Sequence, residues 1–255
     1  PDANAAESVA RLPGVTIKRE GGEGNKVVIR GLSPKYNAIT INGTRIAATD
    51  ANNRSTDLSM ISQYMLEGIK ITKAGTPDMD ADVLGGTVDF QIKKAKEGFH
   101  TNLISQGMYN SLRESYDNYK FVADASSRFF GNRLGIVGQI DIEKRNRSSN
   151  EMGADYWING PSLEDTNIVL VENLNLYDIV RLNNRTNGLL VFDLRIPNGN
   201  ISLTNLQSKI AKEQVHYRNS YGMGSNSRGF GTSDVENKIE ISTKTLTYKQ
   251  TISSV

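Results

Sequence analysis

The sequence predicts a mixed α/β unit over residues 1–97, followed over residues 98–255 by antiparallel β-barrel strands too few to close. Three observations predict this. The first hundred residues alternate short β-branched runs with turn residues and capped helical stretches. Beyond them the runs lengthen, and apolar and polar residues alternate along them. The connections between those later runs switch between tight turns and long polar loops, the pattern of a transmembrane barrel.

Composition narrows the function classes. The 255 residues carry 30 Lys and Arg against 28 Asp and Glu, a net charge of +2 with the signs intermixed. Nothing in that balance points to nucleic acid. No apolar run approaches the ~18 residues of a transmembrane helix, whereas barrel strands leave no such run. The absence of Cys excludes disulfides, thiolate metal sites and Cys nucleophiles. His100 and His216 are far apart, so no His-rich metal site is expected, and no cofactor is implied. The chain opens on Pro1-Asp2 without a signal peptide and stops inside a strand-like run at Val255, so it is expected to be part of a longer protein.

In chain order, Asp2 or Asn4 can cap a short helix whose apolar side is Val9 and Leu12 and which ends at Pro13-Gly14. Val15 and Ile17 mark a brief strand, and Arg19–Asn25 reads as a mobile polar loop. Its glycines lack the strand-to-helix setting of a phosphate-binding fingerprint. Val27–Ile29 and Ile39–Ile41 are strands. Arg30 follows the first of them and must be either at an exposed strand end or buried and paired. Asn42-Gly43 is a hairpin signal. Ala47–Ser55 is a second polar loop. Ser55-Thr56-Asp57 then caps a helical stretch with Leu58, Ile61, Met65 and Leu66 at apolar spacing. Ile69, Ile71 and Lys73 share one face of a further strand, and Thr87–Lys93 alternates as another. Asp78, Asp80, Asp82 and Asp89 fall at calcium-loop spacing. Val83, however, stands where the sharp-turn Gly belongs and Asp89 where a bidentate Glu belongs, so capping and a solvated turn are the expected roles.

The later strand-like runs are expected at Thr101–Tyr109, Tyr119–Phe130, Leu134–Ile142, Leu174–Asn183, Asn187–Ile196, Ile201–Leu206 and Ile239–Ile252. Phe121, Ala123, Ala125 and Phe129 share one face of the second strand, with Lys120, Asp124 and Arg128 opposite. Leu134, Ile136, Ile140 and Ile142 oppose Gln139 and Asp141 on the third. Gly131-Asn132-Arg133 and Pro197-Asn198-Gly199-Asn200 are tight turns. Ser148–Asn173 and Asn219–Asn237 are expected to be long loops. A soluble β-sandwich or propeller would account for the alternation but not for the connection lengths.

Five motifs recur in order: V-V-I-R-G at 27–31, I-N-G-T-R-I at 41–46, D-L-S-M-I at 57–61, L-E-G-I-K-I-T-K at 66–73 and T-P-D-M-D-A-D-V-L-G-G-T-V-D-F at 76–90. Together they resemble the plug domain of a TonB-dependent outer-membrane receptor. Gly68, Lys70 and Ala74-Gly75 depart from the family's usual residues. The resemblance implies a plug inside a barrel in the bacterial outer membrane, with its long loops extracellular. It implies import of an external nutrient (a glycan, peptide or metal chelate), with TonB and the inner-membrane energy-transducing complex as partners alongside outer-membrane lipid. A surface lipoprotein is a further partner it leaves open. By position, the resemblance implies ligand contact for Arg19, Glu20, Glu23, Lys35, Tyr36, Asp50, Asn52, Asn53 and Arg54. It implies a plug–barrel interface role for Arg30 and Lys73, with acidic partners beyond Val255. A surface adhesion or scaffold protein on the same architecture is the alternative. No nucleophile–base pair or metal cluster supports an enzyme.

Overall fold

The computed structural model describes residues 4–50, 53–73, 80, 82–158 and 169–251. The chain begins with helix α1 (Ala5–Val9), capped as its sequence implies: Asn4 Oδ1 accepts the backbone N–H groups of Ala6 and Glu7 at 2.9 and 3.3 Å. Strands β1 (Val15–Glu20) and β2 (Glu23–Ile29) pair antiparallel up to Glu20 opposite Glu23. The expected mobile loop at Arg19–Asn25 is therefore the tip of a hairpin. Gly21 and Gly22 are the reason, since their φ values of +57° and +74° meet the needs of a two-residue turn.

Strands β3 (Asn37–Ile41), β4 (Thr44–Arg45), β5 (Leu66–Thr72) and β6 (Gly86–Ile92) form a second sheet in the order β4-β3-β6-β5. β3 runs parallel to β6, and the other pairs are antiparallel. Asn42-Gly43 makes the anticipated hairpin turn, with φ of +49° and +83°. Asp89 fixes that turn by accepting the Gly43 N–H at 2.7 Å and the Thr40 hydroxyl at 2.6 Å. The helix expected from Leu58 is instead two 3-10 turns, Leu58–Met60 and Gln63–Met65. Asp57 caps the first, and Ser62 re-caps at the Tyr64 N–H, so the side chain takes a donor that a continuous helix would need. Ile29, Ile41, Leu58, Met65, Phe90 and Ile92 are buried at the centre of this unit, each contributing about 1.5–3 kcal/mol of transfer free energy.

The remaining strands form one open antiparallel sheet. They are β7 (His100–Asn110), β8 (Ser115–Phe129), β9 (Leu134–Asn146), β10 (Ser149–Ile158), β11 (Val169–Ile196), β12 (Gly199–Gly222) and β13 (Ser227–Gln250). The order is β13-β12-β11-β9-β8-β7, and β10 pairs with the first part of β11. Both long loops expected here are corrected. Part of Ser148–Asn173 is strand β10, and Asn219–Asn237 is mostly ladder, closed by a turn at residues 223–226. Gly, Ser and Asn are weak strand formers alone, but continuous cross-strand pairing, such as Asn219 opposite Phe230, overrides that preference. β11, at 28 residues, is about 90 Å long, nearly three times the ~10 residues a tilted strand needs to cross a bilayer.

Alternation separates the two faces of this wall as its sequence implies. Lys120, Gln139, Asp141, Arg185 and Asp193 are buried towards the N-terminal unit. Phe121, Phe129, Ile140, Leu190, Phe192 and Leu203 are exposed on the outward face. No helix among the described residues is long and apolar enough to cross a membrane.

Replacing Asp89 with Ala would leave the Gly43 amide and the Thr40 hydroxyl unpaired. Amide exchange at Gly43 is expected to speed by about tenfold or more, corresponding to a loss of about 1–3 kcal/mol. Hydrogen-exchange mass spectrometry of the β3–β4 peptide measures it.

Candidate functional site

The N-terminal unit meets the wall along a seam built from side chains one strand face apart. On β11 the wall presents Arg181, Asn183, Arg185 and Asn187 in period two, then Leu189 and Val191, then Asp193. Glu23, at the start of β2, lies against the polar part. Its carboxylate accepts from Arg185 at 2.7 Å, Asn183 at 3.2 Å and Asn4 at 2.9 Å, and Arg147 stands 3.5 Å away. Arg185 also reaches Glu143 at 3.3 Å, and Glu143 contacts Lys120 at 3.0 Å and Arg145 at 2.5 Å. Glu23, Glu143 and Arg185 are each at most 4% exposed. Burial pushes the Glu23 carboxyl up. Arg185, Arg147 and the hydrogen bonds from Arg185 and Asn4 pull it down harder, to about 2.

Further contacts follow the same seam. Lys212 on β12 donates to Asp57 at 2.7 Å, so the residue that caps a 3-10 turn also binds the wall. Ser62 bonds Asp141, and the Ser208 hydroxyl meets the Met60 carbonyl at 2.6 Å. Lys120 lies 4.8 Å over the Tyr64 ring. Below these, Val137, Leu189, Val191 and Leu206 join the unit's hydrophobic core. At the far end Arg128 pairs with Asp193 and donates to the Ala95 carbonyl at 2.9 Å. The seam is thus an apolar belt between two ionic clusters. At the hairpin tip Gly21 lies so close to the wall that a Cβ there would stand 2.7 Å from Arg181 Cδ.

The sequence-derived site residues fall in several places. Glu23 is not in an exposed loop but at the centre of the seam. Glu20, also at the hairpin tip, accepts from Asn25 at 3.2 Å and sits 3.5 Å from Gln214 of the wall. Arg19 is exposed but engaged by both oxygens of Glu7, at 2.6 and 2.8 Å. Lys35 stands 4.9 Å over the Tyr36 ring in a 3-10 turn. Asp50 pairs with Lys26 at 2.5 Å and accepts from the Asn53 N–H at 3.3 Å, which ties this loop to β2. Arg54 is exposed with φ of +52°, and Asn52 lies outside the described residues. The three loops therefore do not converge on one cluster; Lys26–Asp50 links only the second polar loop to the first hairpin. Arg30 is an exposed strand end with φ of +54°, anchored through its N–H to the Gly14 carbonyl at 3.2 Å. Lys73 Nζ donates to the Pro13 carbonyl. Among the described residues neither cation has an ion pair. Of the calcium-spaced carboxylates, Asp80 and Asp82 pair with Arg45 at 2.6 and 2.8 Å, Asp89 holds the hairpin turn, and Asp78 lies outside the described residues. No cluster of metal ligands occurs among the described residues.

Sequence reasoning missed the wall half of the seam. The signal was the period-two run Arg181-Asn183-Arg185-Asn187, a polar face too rich in cations to lie against lipid. Two larger hollows flank the wall. One of about 640 Å³ beside Gly188 opens on the outward face, between Thr186, Gln207, Lys209 and Glu240. The other, about 540 Å³, opens beside the hairpin tip at Gly21-Gly22.

Residues 1–87 match the family model described as TonB-dependent Receptor Plug Domain. No curated relative matches the sequence. Among solved structures, the fold is similar to the siderophore receptor PirA from Acinetobacter baumannii, at 12% identity and TM-score 0.46, covering 86% of this chain and 42% of that one. It is similar to a mutant of the Pseudomonas aeruginosa ferric enterobactin receptor in complex with enterobactin, at 14% identity and TM-score 0.49, covering 93% and 43%. It is also similar to the copper transporter OprC, at 14% identity and TM-score 0.45, covering 92% and 48%. The chain spans less than half the length of each of these three proteins.

The Glu23 value lies below the ordinary 4.5, so its share of seam stability is complete above about pH 5 and drains as pH falls from 4.5 towards 2. Spin-label distances between the hairpin and β11 are expected to stay constant from pH 8 to 5 and to broaden only below that window. In Glu23→Gln this acid transition should disappear, with the seam loosened at every pH.

Proposed function

We propose that this chain, whose residues 1–87 match the TonB-dependent receptor plug domain model, is the plug and first wall strands of an importer in the bacterial outer membrane. The observation that carries the reading is that the plug unit is held against the buried face of a long-stranded wall whose opposite face is apolar. In this reading the wall is part of a transmembrane barrel and the division between plug and barrel falls near residue 97. The plug fills the lumen, and the β1–β2 tip and the extended ends of β10–β13 face the exterior. Cargo is a scarce external nutrient (a glycan, peptide or metal chelate), and the energy comes through TonB and its inner-membrane complex. A surface lipoprotein would dock on the extended strands.

Within this reading Arg19, Glu20, Lys35, Tyr36, Asp50, Asn52, Asn53 and Arg54 contact cargo. Glu23 instead seats the plug. Arg30 and Lys73, which have no ion pair among the described residues, meet carboxylates on other parts of the barrel. The seam suits a plug that must move: its ionic and hydrogen-bonded ends exchange protein partners for water when they part, at a net cost of about 0.5–1.5 kcal/mol per ordinary bond and more for charged ones.

Growth of a receptor-deleted strain on single nutrient sources, beside a strain lacking TonB function, tests the reading. One nutrient is expected to fail in both strains. Loss of surface attachment without any growth defect would instead support an adhesion protein. Arg30→Ala is expected to lower uptake of that nutrient, and unchanged uptake and plug seating would remove Arg30 from the interface.

A further inference from the structure

The hollow beside the hairpin tip has a lining of one chemical kind. Its floor is the Gly21-Gly22 turn, and its sides include Tyr109, Asn110, Asn118, Arg145, Arg147 and Ser149. Among the described residues that lining holds two guanidinium groups and no carboxylate. In the seam beneath, Glu23 and Glu143 are contacted by four cations, Arg185, Arg147, Arg145 and Lys120, and the buried Asp141 adjoins the same cluster. Of those four, Arg145 and Arg147 are the ones that line the hollow, with side chains 23% and 17% exposed. The amides and hydroxyls around them both donate and accept. At the rim the Tyr109 and Tyr116 rings pack 4.8 Å apart, and both are largely exposed, at 52% and 82%. An apolar cargo side chain would find only Met108 among aliphatic neighbours.

We propose that this hollow seats an anionic, hydroxyl-rich ligand, namely a carboxylated saccharide such as a uronate oligomer. Arg145 and Arg147 take the carboxylate, where a planar fork matches two oxygens. Ser111, Asn146 and Ser148, which also line the hollow, exchange hydrogen bonds with ring hydroxyls, and the exposed tyrosine pair offers an aromatic face to the apolar side of a sugar ring. The ligand rests against the Gly21-Gly22 turn, so an occupied hollow touches the same hairpin whose Glu23 seats the plug. The inference rests on the import reading, because it assigns the cargo class to the outer mouth of that same importer.

The test uses the full-length receptor in detergent and titration calorimetry with three probes: an oligogalacturonate, the same oligomer with its carboxyls reduced to alcohols, and a ferric trihydroxamate. The oligogalacturonate is expected to bind at least about tenfold more tightly than the neutral oligomer, with affinity falling as salt rises. Arg145→Gln is expected to abolish most of that preference for charge. Tyr109→Ala, a residue outside the seam, is expected to weaken both oligomers about tenfold with the plug still seated. Equal binding of the two oligomers, binding of the chelate alone, or oligogalacturonate affinity unchanged in both variants would overturn the proposal. Oligogalacturonate binding to the purified receptor, together with normal uptake by receptor-deleted cells, would remove the import reading and leave the site standing. TonB-dependent growth on another nutrient, with no oligogalacturonate bound, would overturn the ligand class and leave import intact.

Discussion

A carboxylate buried between two sheets must be matched by cations or it will not stay charged, and Glu23 imposes that requirement on everything around it. The hairpin must be long enough to carry Glu23 to the wall. At its tip a side chain on Gly21 would meet the wall's Arg181, and Gly21 and Gly22 both hold the positive φ that the tight turn needs. β11 must hold a register that brings Asn183 and Arg185 onto the plug side, and a slip of one residue would turn both outward. Asn4 serves twice, ending α1 and donating to Glu23, so the first helix is positioned by the same charge.

The seam is graded along its length. Ionic and amide contacts gather near the hairpin tip, an apolar belt of Val137, Leu189, Val191 and Leu206 lies in the middle, and Arg128 with Asp193 closes the far end. Such an arrangement fixes one seated position, since each ionic cluster has its partners at a set height on the wall. The polar ends can re-solvate when they separate, whereas the apolar belt resists separation and favours return. Plug and wall therefore behave as one body at rest with a defined surface along which they can part.

Much of this was legible in the sequence. Period-two alternation placed Lys120, Gln139 and Asp141 opposite the aliphatic face, and Asn42-Gly43 and Asn4 announced a turn and a cap that the structure contains. What failed did so for identifiable reasons. Arg19–Asn25 looked like a loop because polar residues and glycines predominate, yet two adjacent glycines are what a tight hairpin needs. The Leu58–Leu66 stretch had helical spacing, and Ser62 interrupted it by taking a backbone donor. Arg30 drew attention as a charge after an aliphatic run, whereas the charge that binds the described wall is Glu23, whose neighbours in sequence gave no hint of burial. Its partners stand about 160 residues away and are brought to it by the pairing of β9 with β11.

The central claim is that Glu23 and Arg185 seat the plug as a coupled pair. A double-mutant cycle tests it most directly, with Glu23→Gln and Arg185→Gln made singly and together and the β1–β2 hairpin followed by amide exchange in the full-length protein. If the pair is coupled, each single substitution strands the other charge and speeds exchange by two orders of magnitude or more, a cost of about 3–5 kcal/mol, and the double variant costs little beyond either single one. Independent, additive losses, or singles that leave exchange unchanged, would contradict it.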